Sequence, residues 1–167
     1  ANLCERAQKK PVREGLLIGP GGLCDYVIVN TGYLFKIPDT LSYEEASLTE
    51  PLARVVHSVT KANIQLGEDV VVIGGGIMGQ YHVMLAKRRG ARVIMSEVDE
   101  SRRALARKLG ADITFNPMEK DPVEYVKSLT EGRGADVVFN TTAIPSVVPQ
   151  AIAMTGKAGR MIQYSSM

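Results

Sequence analysis

Three glycines in Val71-Val72-Ile73-Gly74-Gly75-Gly76-Ile77-Met78-Gly79 stand in the spacing G-x-G-x-x-G, directly between a β-branched run and a stretch of helical periodicity. Each glycine has its own task in such a turn. Gly74 permits the sharp reversal, Gly76 lets the backbone approach a pyrophosphate, and Gly79 lets the helix pack closely on the strand. A helix opening at Ile77 and Met78 offers that anion free N–H groups and the positive end of its dipole. The spacing alone also suits glycines used only for a tight turn. Glu97 makes it more specific: it lies at the end of the next β-rich run, about 20 residues on, where a carboxylate accepts hydrogen bonds from an adenosine ribose. The pair of features predicts dinucleotide binding. A carboxylate at that point repels a 2′-phosphate, which favours NAD over NADP. Arg102 is assigned to the adenine side and Arg103 to the solvated helix surface.

The elements that must position these residues are legible around them. Asp69–Ile73 reads as a strand, 77–89 as a helix closed by Gly90, 92–97 as a strand, and Glu100–Leu109 as a helix closed by Gly110. A short strand at Ile113–Phe115 follows. Asp121-Pro122 caps a helix to about Thr130, and strands at 136–140 and 160–164 flank a helix from about Ser146 to Met154. The strands are continuously apolar rather than alternating. They are therefore buried on both faces, as in a doubly wound parallel sheet covered by helices, a Rossmann-type α/β fold. Thr141 and Thr142 follow the fourth of these strands and Ser165 the fifth, at the strand ends where open α/β sheets bind ligands. Their hydroxyls either reach a nicotinamide ribose or amide, or serve the turns in which such residues are common.

Upstream the texture differs. Residues 11–38 are rich in Gly and Pro, with β-rich runs at 24–29 and 33–37 that read as strands at the end of a β-domain. From Ser42 the pattern is helical: Ser42 and Glu45 fit a capping box, and Glu50-Pro51 restarts a helix with Leu52, Val55, Val56 and Val59 on its apolar face. The division expected is 1–41 for the β-segment and 42–167 for the dinucleotide-binding domain.

Composition narrows the class. The 167 residues are 45% apolar and 23% charged, and 20 Lys+Arg against 18 Asp+Glu leave a formal charge of +2. The basic pairs are dispersed, which disfavours a nucleic-acid binder. No apolar run approaches the ~20 residues that cross a bilayer, and no signal peptide is evident near Ala1. Membrane partners are therefore not expected. Two cysteines, Cys4 and Cys24, make no disulfide framework, which fits a cytoplasmic location.

The quoted residues resemble the medium-chain dehydrogenase/reductases, and among them the zinc-dependent sorbitol and threonine dehydrogenase branch. Gly21-Gly22-Leu23-Cys24-Asp25-Tyr26-Val27 is similar to that family's G-G-x-x-E-Y strand, Lys36-Ile37-Pro38-Asp39 to its K-I-P-D, and Glu50-Pro51-Leu52-Ala53 to its E-P-L-x helix. The resemblance implies that residues 1–41 are the remnant of a GroES-like catalytic domain and that the chain is a fragment lacking the sixth strand of the sheet. It implies that Cys4 is the last of four structural-zinc cysteines, and that Glu50 lies beside a catalytic zinc; Glu50 also suits a carboxylate at a helix N-terminus. Arg54 either pairs with Glu50 or binds an anionic group, and His57 is expected as a hydrogen-bonded packing residue. Met78 falls where the family sets Val or Ile against the nicotinamide, or else simply packs the helix.

For the complete enzyme the resemblance implies NAD and zinc as cofactors, oxidation of a small secondary alcohol such as a polyol, sugar alcohol or threonine-like substrate, and a homo-oligomer. No catalytic residue is assigned within this chain, which is expected to be inactive alone. The alternatives are a non-catalytic NAD-sensing domain and a zinc-free quinone-type reductase. A methyltransferase is disfavoured, because its loop rarely needs the third glycine.

Overall fold

The computed structural model describes residues 25, 26 and 31–165. The chain divides into two units, Ala1–Ser42 and Tyr43–Met167. In the first unit, Thr31–Tyr33 forms one 3-10 turn, closed by the Leu34 amide donating to the Thr31 carbonyl at 3.1 Å. The strand expected over 33–37 is absent. A strand needs a ladder partner, and among the described residues none pairs with this run, which leaves Phe35 87% exposed. Most of the run expected at 24–29 lies outside the described residues, as does Cys4.

The second unit begins with two helices, α1 (Tyr43–Ser47) and α2 (Thr49–Ala62). Helix α1 starts directly after Ser42, as the capping pattern predicts. Pro51 sits in the first turn of α2 rather than at its first position, still where a missing N–H removes no intrahelical bond. The inward stripe is Val55, Ser58, Val59 and Ala62. Val56, expected on that face, is exposed, because it lies 100° around the helix from Val55.

Beyond Gly67 strand and helix alternate: β1 (Asp69–Ile73), α3 (Ile77–Arg88), β2 (Arg92–Ser96), α4 (Glu100–Leu109), β3 (Ile113–Phe115), α5 (Pro122–Leu129), β4 (Ala135–Asn140), α6 (Val147–Met154) and β5 (Thr155–Gln163). The stops are chemical. Gly90 and Gly110 follow α3 and α4 at φ of 80° and 109°, a left-handed conformation that costs glycine least. Asp99 and Asp121 cap α4 and α5 by accepting from the amides of Arg102 and Glu124 at 3.0 and 2.9 Å.

All the strands are parallel, in the order β3-β2-β1-β4-β5. The sheet separates two cores, because successive side chains of a strand point to opposite faces. Val70 and Val72 join Val55, Val83, Ala86 and Ala106 on the face covered by α2, α3 and α4. Val71 and Ile73 join Val126, Ala151 and Met154 on the face covered by α5 and α6. Each wholly buried valine contributes roughly 1.5–3 kcal/mol. This is the doubly wound parallel sheet the continuous apolar runs predict. With β1 central and its neighbours β2 and β4 reached by crossovers on opposite faces, the chain reverses its winding at the C-terminal end of β1, where the glycine turn lies.

One strand is longer than its sequence suggests. β5 begins at Thr155, five residues early, and its pairing with β4 slips between Ala135↔Thr155 and Val137↔Arg160. Gly156 and Gly159 make that slip possible, since a Cβ at Gly159 would stand 2.8 Å from the Ala135 carbonyl oxygen. Among the described residues β5 is an edge strand, and no helix is long and apolar enough to cross a membrane.

Candidate dinucleotide site

The turn after β1 is built from contacts no larger residue allows. Gly74 holds φ at 95° and donates its amide to the Ser96 carbonyl at 2.9 Å; a Cβ there would meet Thr141 Oγ1 and Thr142 Cγ2, each at 2.8 Å. At Gly79 a Cβ would lie 1.9 Å from the Gly74 carbonyl oxygen, so the first turn of α3 rests on the loop it leaves. Gly76 is different. Its φ is −66°, and a Cβ there would meet nothing within 4 Å among the described residues. Nothing inside the described protein requires glycine at that point, whereas close approach of a ligand does. Gly76 caps α3 without a side-chain hydrogen bond, so the first-turn amides, Ile77 and Met78 included, keep the anion-binding character of an open helix N-terminus.

Glu97 is only 6% exposed, and it closes the other side of the turn. Its Oε2 accepts from the Gly75 amide at 2.5 Å and its Oε1 from the Asp99 amide at 2.9 Å. Each oxygen retains a lone pair for a hydroxyl donor. Gly75 is thereby as constrained as Gly74, since a Cβ on it would stand 2.8 Å from Glu97 Cγ. Arg102 stays more than half exposed with its guanidinium 4.0 Å from Glu97 Oε2. Arg103 is not the solvated charge expected: its side chain is 11% exposed, and its Nη1 donates to the Glu97 and Val98 carbonyls at 2.6 and 2.8 Å, because the chain leaving β2 turns beneath α4 and leaves those carbonyls without ladder partners. Gln80, which the sequence did not single out, ties these parts together. It is 5% exposed, and its Nε2 donates to the Gly75 and Arg102 carbonyls, both at 2.9 Å.

Beside Glu97 a cleft of about 380 Å³ opens at the C-terminal strand ends, walled by Ile73, Val98, Met118, Ile144, Val147 and Met154. Its apolar walls and single carboxylate suit a flat heterocycle attached to a sugar.

On the opposite side of the turn the ends of β4 and β5 are stitched together. Thr141 Oγ1 donates to the Ile73 carbonyl at 2.8 Å. Buried Asn140 accepts through Oδ1 from Thr142 Oγ1 at 2.8 Å and donates through Nδ2 to Gln163 Oε1 at 2.9 Å; Gln163 Nε2 donates to Ser165 Oγ at 2.7 Å, and Ser165 Oγ donates to the Thr142 carbonyl. The hydroxyl protons of Thr141, Thr142 and Ser165 are therefore committed within the protein. Toward a ligand these three residues offer lone pairs only. Met78 is half-buried and accepts a hydrogen bond at Sδ from the Tyr164 hydroxyl at 3.4 Å.

Glu50 lies near the start of α2, exposed and ion-paired with Arg54 one helical turn on. His57 is exposed rather than packed, because it falls between the inward positions Val55 and Ser58 on the outer side of α2. The buried, hydrogen-bonded histidine is His82. Among the described residues no three His, Cys, Asp or Glu side chains gather as metal ligands. The described residues thus do not fit a zinc site, which needs about four ligands.

Comparison with known proteins agrees with this geometry. Residues 78–167 match the family of zinc-binding dehydrogenases. D-arabitol-phosphate dehydrogenase of Enterococcus avium is 35% identical over 166 residues, 97% of this chain and 46% of that protein. Sorbitol dehydrogenase of Bacillus subtilis is 33% identical over 142 residues, 84% of this chain and 40% of that protein. The crystal structure of a putative zinc-binding dehydrogenase from Sinorhizobium meliloti bound to NADP superposes with a TM-score of 0.69 at 32% identity, covering 76% of this chain and 38% of that one. The chain belongs to the zinc-binding dehydrogenase family. It spans less than half the length of the curated relatives it matches.

Proposed function

We propose that residues 42–167 form the dinucleotide-binding domain of an oxidoreductase that transfers a hydride between a secondary alcohol and NAD, with 1–41 belonging to a separate catalytic β-domain. The observation that carries this reading is the opposition at Gly75 and Gly76: open space above one glycine at an uncapped helix start, and a buried carboxylate bonded to the amide of the other. In this reading Gly76 and Ile77 meet the pyrophosphate across the turn that Gly74 and Gly79 shape, Met78 faces the nicotinamide, Glu97 accepts from the adenosine ribose, and Arg102 covers the adenine. Thr141, Thr142 and Ser165 receive hydrogen bonds from the nicotinamide ribose or amide. Bound nicotinamide supplies a two-electron acceptor, so that the alcohol becomes a ketone, one hydride is retained on the cofactor and one proton is released. A polyol, polyol phosphate or threonine-like substrate accords with the names of the relatives. A cytoplasmic location and self-association through the β5 edge belong to the same reading.

A zinc-free reductase is the second reading, favoured by the commitment of Glu50 to Arg54. The test is NADH formation by the protein carrying this chain, with a panel of polyols, their phosphates and threonine, before and after chelation. Turnover of one such alcohol supports the proposal. Tight NADH binding with no turnover of any of them would leave only a sensing role, and turnover unchanged by chelation would favour the zinc-free reductase.

A further inference from the structure

His82 has no exposed surface and no place in the dinucleotide site described above, yet it touches Met78, Phe139 and Tyr164 on one side of it. Its Nδ1 lies 2.8 Å from the Met78 carbonyl oxygen, and its Nε2 lies 3.0 Å from Ser58 Oγ. A carbonyl accepts and never donates, so Nδ1 carries the proton. Burial lowers the His82 pKa to about 4, so at neutral pH the ring holds that proton alone. Nε2 is therefore an acceptor, and the Ser58 hydroxyl donates to it. The ring also packs on Phe139 of β4 at 4.5 Å and meets Tyr164 edge-on at 4.8 Å and 81°. Tyr164 in turn donates its hydroxyl to Met78 Sδ. One imidazole thus grips Met78 twice, at its carbonyl directly and at its sulfur through Tyr164.

We infer that His82 is a positioning residue for the nicotinamide-side wall, holding Met78 and Tyr164 from beneath with the neutral Nδ1–H tautomer braced by Ser58. The inference rests on the dinucleotide reading: with the pyrophosphate at α3 and the adenosine at Glu97, the other half of the ligand falls toward β4 and β5, where Met78 and Tyr164 stand. Residues that hold the adenosine half, Glu97 and Arg102, make no contact with His82. Its influence is therefore confined to one end of the ligand, which a role in general packing would not produce.

The test compares NADH with ADP-ribose, which lacks the nicotinamide, by calorimetric titration of the 167-residue chain. His82→Phe should weaken NADH by about tenfold, the worth of a lost buried hydrogen bond, and leave ADP-ribose within about twofold. His82→Asn, whose amide keeps a donor near the Nδ1 position, should recover most of the loss. Ser58→Ala, a milder change that keeps the imidazole, should lower NADH affinity in the same selective way and covers the case in which His82→Phe does not fold. Nitrogen-15 spectra of the wild-type ring should report the neutral Nδ1–H tautomer at pH 7 and should shift on adding NADH but not ADP-ribose. Equal losses for both ligands, or no loss for either, would overturn the inference. Failure of the wild-type chain to bind ADP-ribose at all would instead overturn the dinucleotide reading beneath it.

Discussion

The carbonyl oxygen of Gly74 lies 1.9 Å from the point where a side chain at Gly79 would begin. That approach locks the end of β1 to the first turn of α3 and leaves Gly76, between them, facing open space. The two glycines therefore meet different surroundings, one pressed against backbone and one open.

Substitution separates them. Gly79→Ala should destabilise the domain by about 1–3 kcal/mol, the usual cost of forcing extra volume against fixed backbone, and should abolish NADH binding as the turn deforms. Gly76→Ala should cost about 1 kcal/mol or less, the difference between the two residues at a helix N-cap, while lowering NADH affinity about tenfold or more. Urea denaturation beside ligand titration measures both. A Gly76→Ala protein that binds NADH normally would show that the ligand does not approach there.

Acid should find His82. Its folded pKa of about 4 lies below the ordinary value of 6.5 because burial disfavours the charged ring. The unfolded chain then binds the extra proton first, so the contribution of His82 is complete above pH 6.5 and is lost as pH falls from there toward 4. The full loss is on the order of 3 kcal/mol, at about 1.4 kcal/mol per pKa unit. Chemical denaturation at pH 7, 6 and 5 should show falling stability, and His82→Asn should flatten that slope. An equally steep slope in the variant would assign the acid sensitivity elsewhere.

Zinc content tests the standing of Glu50. With its carboxylate paired to Arg54 and no ligand cluster among the described residues, the chelator-washed chain should hold well under one zinc, and Glu50→Gln should leave that content unchanged. Being an exposed, solvent-screened i,i+4 pair, it should also matter little to stability. Stoichiometric zinc that disappears with Glu50→Gln would restore the ligand role suggested by the Glu50-Pro51-Leu52-Ala53 resemblance.

Where glycine or a capping acid bounded a periodic or apolar run, the sequence revealed the element to the residue: Asp69–Ile73, Glu100–Leu109 and Ile113–Phe115 coincide with their strands and helix. The run at 33–37 carried the same β-branched and aromatic types without becoming a strand, because pairing is a property of a neighbour and not of the run. β5 erred the other way, expected only from residue 160 although Gly156 and Gly159 let the strand begin earlier and slip past β4.

The backbone half of the site was legible because a glycine spacing is local. Its side-chain half was less so. Gln80 and His82 sit in α3 like ordinary polar residues, and only the folded chain brings Gln80 under Gly75 and His82 against Ser58, Phe139 and Tyr164. Asn140, at the end of an apolar strand, gave no sign that it would tie Thr142 to Gln163. The exchange of roles between His57 and His82 follows from helix phase: one faces outward from α2 and the other lies between α3 and the sheet.

In the proposed function Glu97, fixed by the Gly75 and Asp99 amides, reads an unmodified adenosine ribose. Calorimetric titration of the 167-residue chain with NADH and with NADPH tests it most directly. NADH should bind about tenfold or more tightly, a difference of about 1.4 kcal/mol, and Glu97→Ala should narrow the gap. Equal affinities, or a preference for NADPH, would contradict it.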